Sequence, residues 1–394
     1  MQPITADSNG CHHNINHAIW HLLQKQNTWG AVVMYRKPHS NRFALLLQES
    51  QPRVLQQIDE IPLTGGYVIA PFQPSPTCPI QFVEPDFQTT CLLEWPQHCV
   101  AQPYIDDTET QRANYAHSFE QAHRRLMNGE LQKMVLSRRL NLQLPIHETT
   151  EVSGDENFMR LMEAACGYFQ KACHYRPNSF VAFWWTKESG AWLVATPEPL
   201  LERRQHDWGT VALAGTLPWV EGEKPQWNEK NLEEQAIVSR FVERHLRETA
   251  VDVRKSDTYS LHTGNIQHLC TDFSFTLEQP GQVTQLLAKL HPTPAVCGLP
   301  RPEAFQAILA DETSPRHYYA GFSGPLLLEG ETHLYVSLRC MQFTTQTATL
   351  YAGGGIMPGS NENDEWEETQ RKLQTMLKLF LQEGVHSRTL TSII

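Results

Sequence analysis

The chain has 394 residues, 40% of them hydrophobic, and a formal net charge of −11 at pH 7, so it is long enough to bury one large core or two ordinary ones. Without a basic stripe it is not expected to bind nucleic acid, and no apolar run approaches the roughly 20 residues of a membrane span. The N-terminus lacks the basic region and apolar core of a signal peptide, and nine cysteines without a C-x-x-C pair fit reduced thiols, so a cytoplasmic location is expected.

In chain order, Cys11 with His12 and His13 either grips stray metal or belongs to a mobile tail. Residues 1–105 read as a strand-rich N-terminal part of the same domain as the rest. "WGAVVMYRKPHSNRFALLLQES" looks like a hairpin turning at Lys37–Asn41, and the Pro-rich "APFQPSPTCPIQFVEP" reads as a surface winding. Tyr115, Phe119, Ala122 and Leu126 recur at helical spacing, and Gly129 ends that helix before the strand "LQKMVLSRRLNLQL". "NFMRLMEAACGYFQKA" is a second amphipathic helix; "SFVAFWWT" and "AWLVAT" pair as strands around a Lys187–Gly190 turn. A helix is predicted from about Glu229 to Thr249, strands over 251–278, and short helices over 281–290 and 302–312. Strands over 319–352 and a last helix from Glu362 to about Leu381 complete the chain. Strands come in hairpins and runs, not in alternation with helices, which predicts an α+β fold with mainly antiparallel sheets. No break separates two independent domains.

The stretch "YAGGGIMPGSNENDEWEETQRKL" sets three glycines, Gly353 to Gly355, between an apolar run and an acidic helix start. The Lys and Ser or Thr of a phosphate loop do not follow them. Repeated glycine lets backbone N–H groups approach an anion, yet carboxylates repel that anion unless a cation sits between. Either this is a turn feeding a surface helix, or glutamates hold a metal while the glycines hold an anionic ligand. Glu365 and Glu368, three apart, share one face of a helix start, where negative charge is tolerated. Their oxygens suit a hard cation such as Mg2+. Glu234 in "NLEEQAIVSRFVERHL" is either a further ligand or a solvated helix residue. Arg339 in "YVSLRCMQF" is a charge in an apolar strand and needs a carboxylate partner, from the protein or from a substrate. Lys133, leading into "MVLSRRL", is either partly desolvated or snorkels to water. His268 and His291 are either ligands or buried, hydrogen-bonded side chains.

Eight motifs occur in order: "KMVLSRR", "TPEPLLER", "ALAGT", "EEQAIVSRFV", "HLCT", "LHPTPAVCGLPR", "VSLRCMQ" and "YAGGGIMPGSNENDEWEETQRKLQTM". Together they resemble the catalytic region of the chorismate-utilising enzymes, over about Gln111 to Leu381, and most of all the isochorismate synthases of menaquinone and siderophore biosynthesis. The resemblance implies one large α+β domain, with two mainly antiparallel sheets stacked face to face and helices outside. On that resemblance residues 106–394 are expected to form its chorismate-binding catalytic region. It implies Mg2+ held by Glu234 and Glu368, with Glu365 acting through water. It also implies a carboxylate cradle of Gly353, Gly354, Gly355 and Arg339. His268 and Thr271 are implied near the reacting hydroxyls, Gly215 and Thr216 among the substrate-binding residues, and Lys372 beside the metal. Asn231 stands where an outer acid is usual and Gln235 where a histidine is usual; neither removes a direct ligand.

The reaction so implied adds water at ring carbon 2 and expels hydroxide from carbon 4. It needs a base and an acid, and the resemblance assigns these to Lys133 and Glu198. Ammonia-using relatives, the anthranilate and aminodeoxychorismate synthases, are rivals. Anthranilate synthases usually lack the lysine and carry L-L-E-S where this chain has "LLQES" at 46–50. No glutaminase motif is present, and no glutaminase subunit is expected. Salicylate synthase is a closer rival, because it keeps the lysine and then eliminates pyruvate. It and the ammonia users read A-G-T-R-x-R-G, whereas here "AGT" runs into Leu217–Pro218–Trp219. A non-catalytic chorismate-binding protein would have lost the acid, base or metal ligands, and all are present.

Overall fold

The computed structural model describes residues 23, 29–93, 103–105, 108–145, 154–204, 207–263 and 266–380. Cys11, His12, His13 and the end of the chain from Leu381 lie outside the described residues.

The described strands form two sheets of 10 strands each, and every printed pairing between named strands is antiparallel. In the first sheet the order is Gly298–Leu299, Lys133–Gln143, Thr347–Ile356, Cys340–Phe343, Gly190–Thr196, Phe180–Thr186, Ala31–Arg36, Arg42–Gln48 and Phe87–Leu92. Tyr104–Ile105 pairs beside the long Lys133–Gln143 strand. In the second sheet the order is Val251–Lys255, Ile266–Thr276, Asp207–Pro218, Pro199–Arg204, Thr332–Val336, Phe322–Leu326, Gly66–Ala70, Ile80–Val83 and Arg53–Leu55, with Tyr259–Thr263 also on Ile266–Thr276. Among the described residues six helices run with them: α1 (Thr108–Met127), α2 (Gly154–Tyr175), α3 (Glu229–Thr249), α4 (Gln282–Leu290), α5 (Arg301–Asp311) and α6 (Glu362–Leu377).

Alternation along each strand sends side chains to opposite faces. In Ala31–Arg36, Ala31 and Val33 join the core between the sheets, while Val32 and Met34 join a second core under α2 and α6. Both faces are therefore buried, which is why "AVVMYR" reads as a continuous apolar run. Aromatic rings tie the sheets together: Phe180 of the first stacks on Tyr335 of the second at 4.5 Å, and Tyr35 meets Tyr67 at 5.7 Å. On the outer face, α2 sets Met162, Phe169 and Ala172 against the first sheet. Each large apolar side chain fully buried there contributes about 1.5–3 kcal/mol.

The structure departs from the sequence reading at three places. The Pro-rich stretch does not stay on the surface: Ile80–Val83 is a wholly buried strand beside Gly66–Ala70. Four of its five prolines precede the strand and Pro85 follows it, so no missing N–H falls inside the ladder. The glycines are not a loop either. Gly353, Gly354 and Gly355 continue the Thr347–Ile356 strand, paired with Ser137, Leu136 and Val135. Arg339 lies not in a strand but in the link Ser337–Arg339, at φ 48°.

That link positions the site. The chain leaves the first sheet at Thr196 and enters the second at Pro199, and it returns from Val336 to the first sheet at Cys340. The two crossings are bonded to one another, Val336 N donating to Glu198 O and Ala195 N to Arg339 O, both at 3.0 Å. Glu198 and Arg339 are thereby fixed at the seam between the sheets.

Candidate active site

A cleft opens at this seam. Glu198, Gly215, Thr216, Glu234, His268, Arg339, Gly353, Gly354, Gly355 and Lys372 all line it, and so do Tyr319, Ala295 and Val296. Most of the residues singled out in the sequence are therefore gathered in one place. Lys133 is fully buried just behind the lining; a Cβ on Gly355 would sit 3.0 Å from its Cε. Thr271 is also behind the wall, accepting from Gln235 Nε2 at 2.6 Å and meeting Thr258 Oγ1 at 2.8 Å. Gln235 thus makes a buried hydrogen bond from the position where a histidine was expected. His291 lies elsewhere, its Nε2 3.2 Å from Pro71 O, as a buried histidine with a backbone partner.

The carboxylates come from two helices. Asn228 caps α3 by accepting from Asn231 N, and Asn361 caps α6 by accepting from Asn363 N and Asp364 N. These caps fix where each helix begins and so which face presents Glu234, Glu365 and Glu368. Each carboxylate is met by a lysine. Lys133 Nζ is 3.1 Å from Glu234, Lys372 Nζ is 2.6 Å from Glu368, and Lys230 pairs with Glu365. Lys372 also donates to Gly353 O at 2.7 Å.

Beneath them the glycines are required by space. A Cβ on Gly355 would fall 2.1 Å from Glu234 Oε1, one on Gly353 would fall 2.6 Å from the Tyr319 hydroxyl, and one on Gly354 would meet Glu365 Oε2 at 3.2 Å and Glu368 Oε1 at 3.4 Å. The neighbouring strand Cys340–Phe343 pairs only as far as Tyr351. Beyond it the glycine strand has a ladder on one side alone, and alternate backbone N–H groups face away from that ladder.

Burial and charge set the protonation states. Burial pushes the Glu198 carboxyl up to about 7, against the pull of Lys133, Arg339 and Lys372. Burial, then Arg339 and Lys372, push His268 down to about 3, so its ring is neutral. Arg339 Nη2 faces His268 Nε2 at 3.2 Å and can only donate. The ring proton therefore sits on Nδ1, which donates to Gly215 O at 3.0 Å. Gly215 itself is in the left-handed region, at φ 73°, where the Asp207–Pro218 strand bulges. Glu365 is raised to about 7, first by burial and then by Glu368. Burial pushes Glu368 upward most strongly, but Lys372 together with Lys230 holds that carboxyl below its ordinary value.

Among the described residues the acidic side chains do not form a ready-made cage of three or more metal ligands. Yet Glu365 Oε2 is buried without a hydrogen-bond partner, and it converges with Glu368 Oε1 over Gly354. Acceptor-only oxygens from two groups, meeting at one point, fit a hard cation that keeps positions open for water and substrate.

Sequence reasoning did not single out Tyr319 or Lys230. Tyr319 comes from the turn between α5 and Phe322–Leu326 and carries no local pattern. Lys230, four residues before Glu234, was legible as a helix-face neighbour.

The chain matches the family model described as chorismate binding enzyme over residues 88–381. This chain belongs to that family. It is 31% identical over 282 residues to isochorismate synthase DhbC of Bacillus subtilis, covering 67% of each chain. It is 28% identical over 266 residues to isochorismate synthase EntC of Escherichia coli, covering 65% of this chain and 63% of that relative, so the match spans less than two thirds of EntC. The fold is shared with the structure of MenF, the menaquinone-specific isochorismate synthase of Escherichia coli. The TM-score is 0.71 at 21% identity, over 92% of this chain and 91% of that one.

Proposed function

We propose that this chain is an isomerase that converts chorismate to isochorismate. The observation that carries the reading is a carboxyl lining the cleft with its proton affinity raised to about 7, Glu198, together with a fully buried lysine just behind the lining, Lys133. An acid and a base at a single substrate are what exchange of a hydroxyl requires. Lys133 Nζ takes a proton from the water that adds at ring carbon 2. The Glu198 carboxyl gives its proton to the hydroxyl leaving carbon 4, and the ring double bonds shift between the two.

The rest of the cleft binds and orients. Arg339 and the unladdered edge of Gly353–Gly355 are placed for the substrate carboxylate, and the neutral His268, held by Gly215, faces its polar groups. Lys230 and Lys372 orient Glu365 and Glu368. Glu234 and Glu368, with Glu365 through water, would hold Mg2+, which supplies charge neutralisation at the substrate carboxylate when bound.

The amination and salicylate readings are less well supported. The strand Asp207–Pro218 carries Leu217 and Pro218, and no arginine, directly after Gly215 and Thr216. The test is incubation of the purified chain with chorismate and Mg2+, with products separated by chromatography. A new peak with the spectrum of isochorismate, reversible to chorismate, is expected. Stoichiometric pyruvate, read with lactate dehydrogenase, would replace the reading with salicylate formation. Amination by ammonium salts at a matching rate would replace it with the anthranilate type.

A further inference from the structure

A second cavity, of about 320 Å3, lies outside the active site. It is roofed by α1, floored by the Lys133–Gln143 strand and closed by the segment after α5. Its volume reaches the roughly 300 Å3 at which small-molecule sites begin. Two arginines line it, Arg138 and Arg139, together with neutral hydrogen-bonding side chains including Asn114, Ser137, Asn141 and Ser314. Among the described residues no aspartate or glutamate does, although the chain carries a net charge of −11.

Three carboxylates of the flanking elements are already committed. Asp311 pairs with Arg125 at 2.9 Å, Glu312 with Arg316 at 2.5 Å, and Glu362 with Arg112. Arg138 directs its donors to Thr369 and Gln370 and lies over the Trp366 ring at 3.8 Å. Arg139 is different. It is half-buried and makes no hydrogen bond or ion pair among the described residues. Its charge still reaches into the protein, adding to burial in lowering the pKa of His317. Tyr115, also in the lining, holds a buried hydroxyl without a hydrogen-bond partner among the described residues. A half-buried guanidinium fork without a counter-charge among the described residues, set among neutral hydrogen-bonding side chains, is open to an anionic partner.

We propose that this cavity is a binding site for a small oxyanion-bearing molecule, its carboxylate or phosphate group seated on the Arg139 guanidinium. Ser137, Asn141, Asn114 and Ser314 supply neutral hydrogen bonds to the remainder. The cavity shares no lining residue with the active-site cleft, although Tyr351 of the glycine strand borders it, so its ligand need not be the substrate.

Isothermal titration with inorganic phosphate and with benzoate, at constant ionic strength set by chloride, tests this and tells the two anion classes apart. The wild-type chain is expected to bind at least one probe saturably at one site that persists in Arg339→Gln. In Arg139→Gln that binding is expected to weaken by about tenfold or more, the loss of one charge-assisted contact. Asn141→Asp supplies an internal carboxylate two residues along the strand and is expected to abolish it, which keeps the test valid if Arg139→Gln misfolds. No saturable binding of either probe would overturn the proposal. So would binding unchanged in Arg139→Gln, or binding lost in Arg339→Gln.

Discussion

Glu234 Oε1 stands 3.1 Å from Lys133 Nζ, directly over Gly355, where a single methyl group would come within 2.1 Å of the same oxygen. Backbone, carboxylate and lysine are thus locked by one absent side chain. Gly355→Ala is expected to displace Glu234 and lower kcat/KM by about 10²-fold, with an overpacking cost of about 1–3 kcal/mol. Gly359→Ala, where nothing lies within 4 Å of the new methyl, should leave both unchanged. Steady-state kinetics and urea denaturation of the pair check this.

Lys133→Ala and Glu198→Gln should each cut kcat by on the order of 10² or more, the usual weight of a positioned acid or base. KM should move far less, because Arg339 and the glycine strand remain. Near-wild-type kcat in either variant would remove the assigned role.

The Glu198 carboxyl ordinarily titrates near 4.5 and here near 7. As the general acid it must be protonated, so turnover should fall as pH rises through about 7. Between those values the folded chain binds a proton that the unfolded chain has released. Stability contributed by this group therefore falls as pH rises from about 4.5 to about 7. Glu198→Gln should flatten that part of the stability profile, measured by denaturant midpoint against pH.

Removing divalent metal with EDTA should abolish turnover, and Mg2+ should restore it. Glu368→Ala and Glu234→Ala should be nearly inactive while folded, as judged by circular dichroism. Undiminished activity of the wild-type chain in metal-free buffer would contradict the carboxylate assignment.

Much of the site was legible because its parts are short-range. Glu365 and Glu368 share a helix face by spacing alone, and the glycine run beside them signals close approach. What was not legible depends on long-range pairing. Gly353–Gly355 look like a loop until the Lys133–Gln143 strand, more than 200 residues earlier, is paired along them. Arg339 reads as a strand residue because its neighbours are apolar; only the crossing between sheets explains its φ of 48°. Tyr319 enters the cleft through tertiary packing, and nothing in "RHYYAGF" marks it out. The strand Ile80–Val83 was hidden by the prolines before it, although its own four residues are all buried.

The most direct test of the central claim is turnover of chorismate by the purified chain in water enriched in oxygen-18. If Lys133 activates water for addition at carbon 2, the isochorismate formed carries one heavy oxygen at that position, by mass spectrometry. Lys133→Ala should form on the order of 10²-fold less of this labelled product in equal time. Isochorismate without the label, or pyruvate or an aminated ring in its place, would contradict the account.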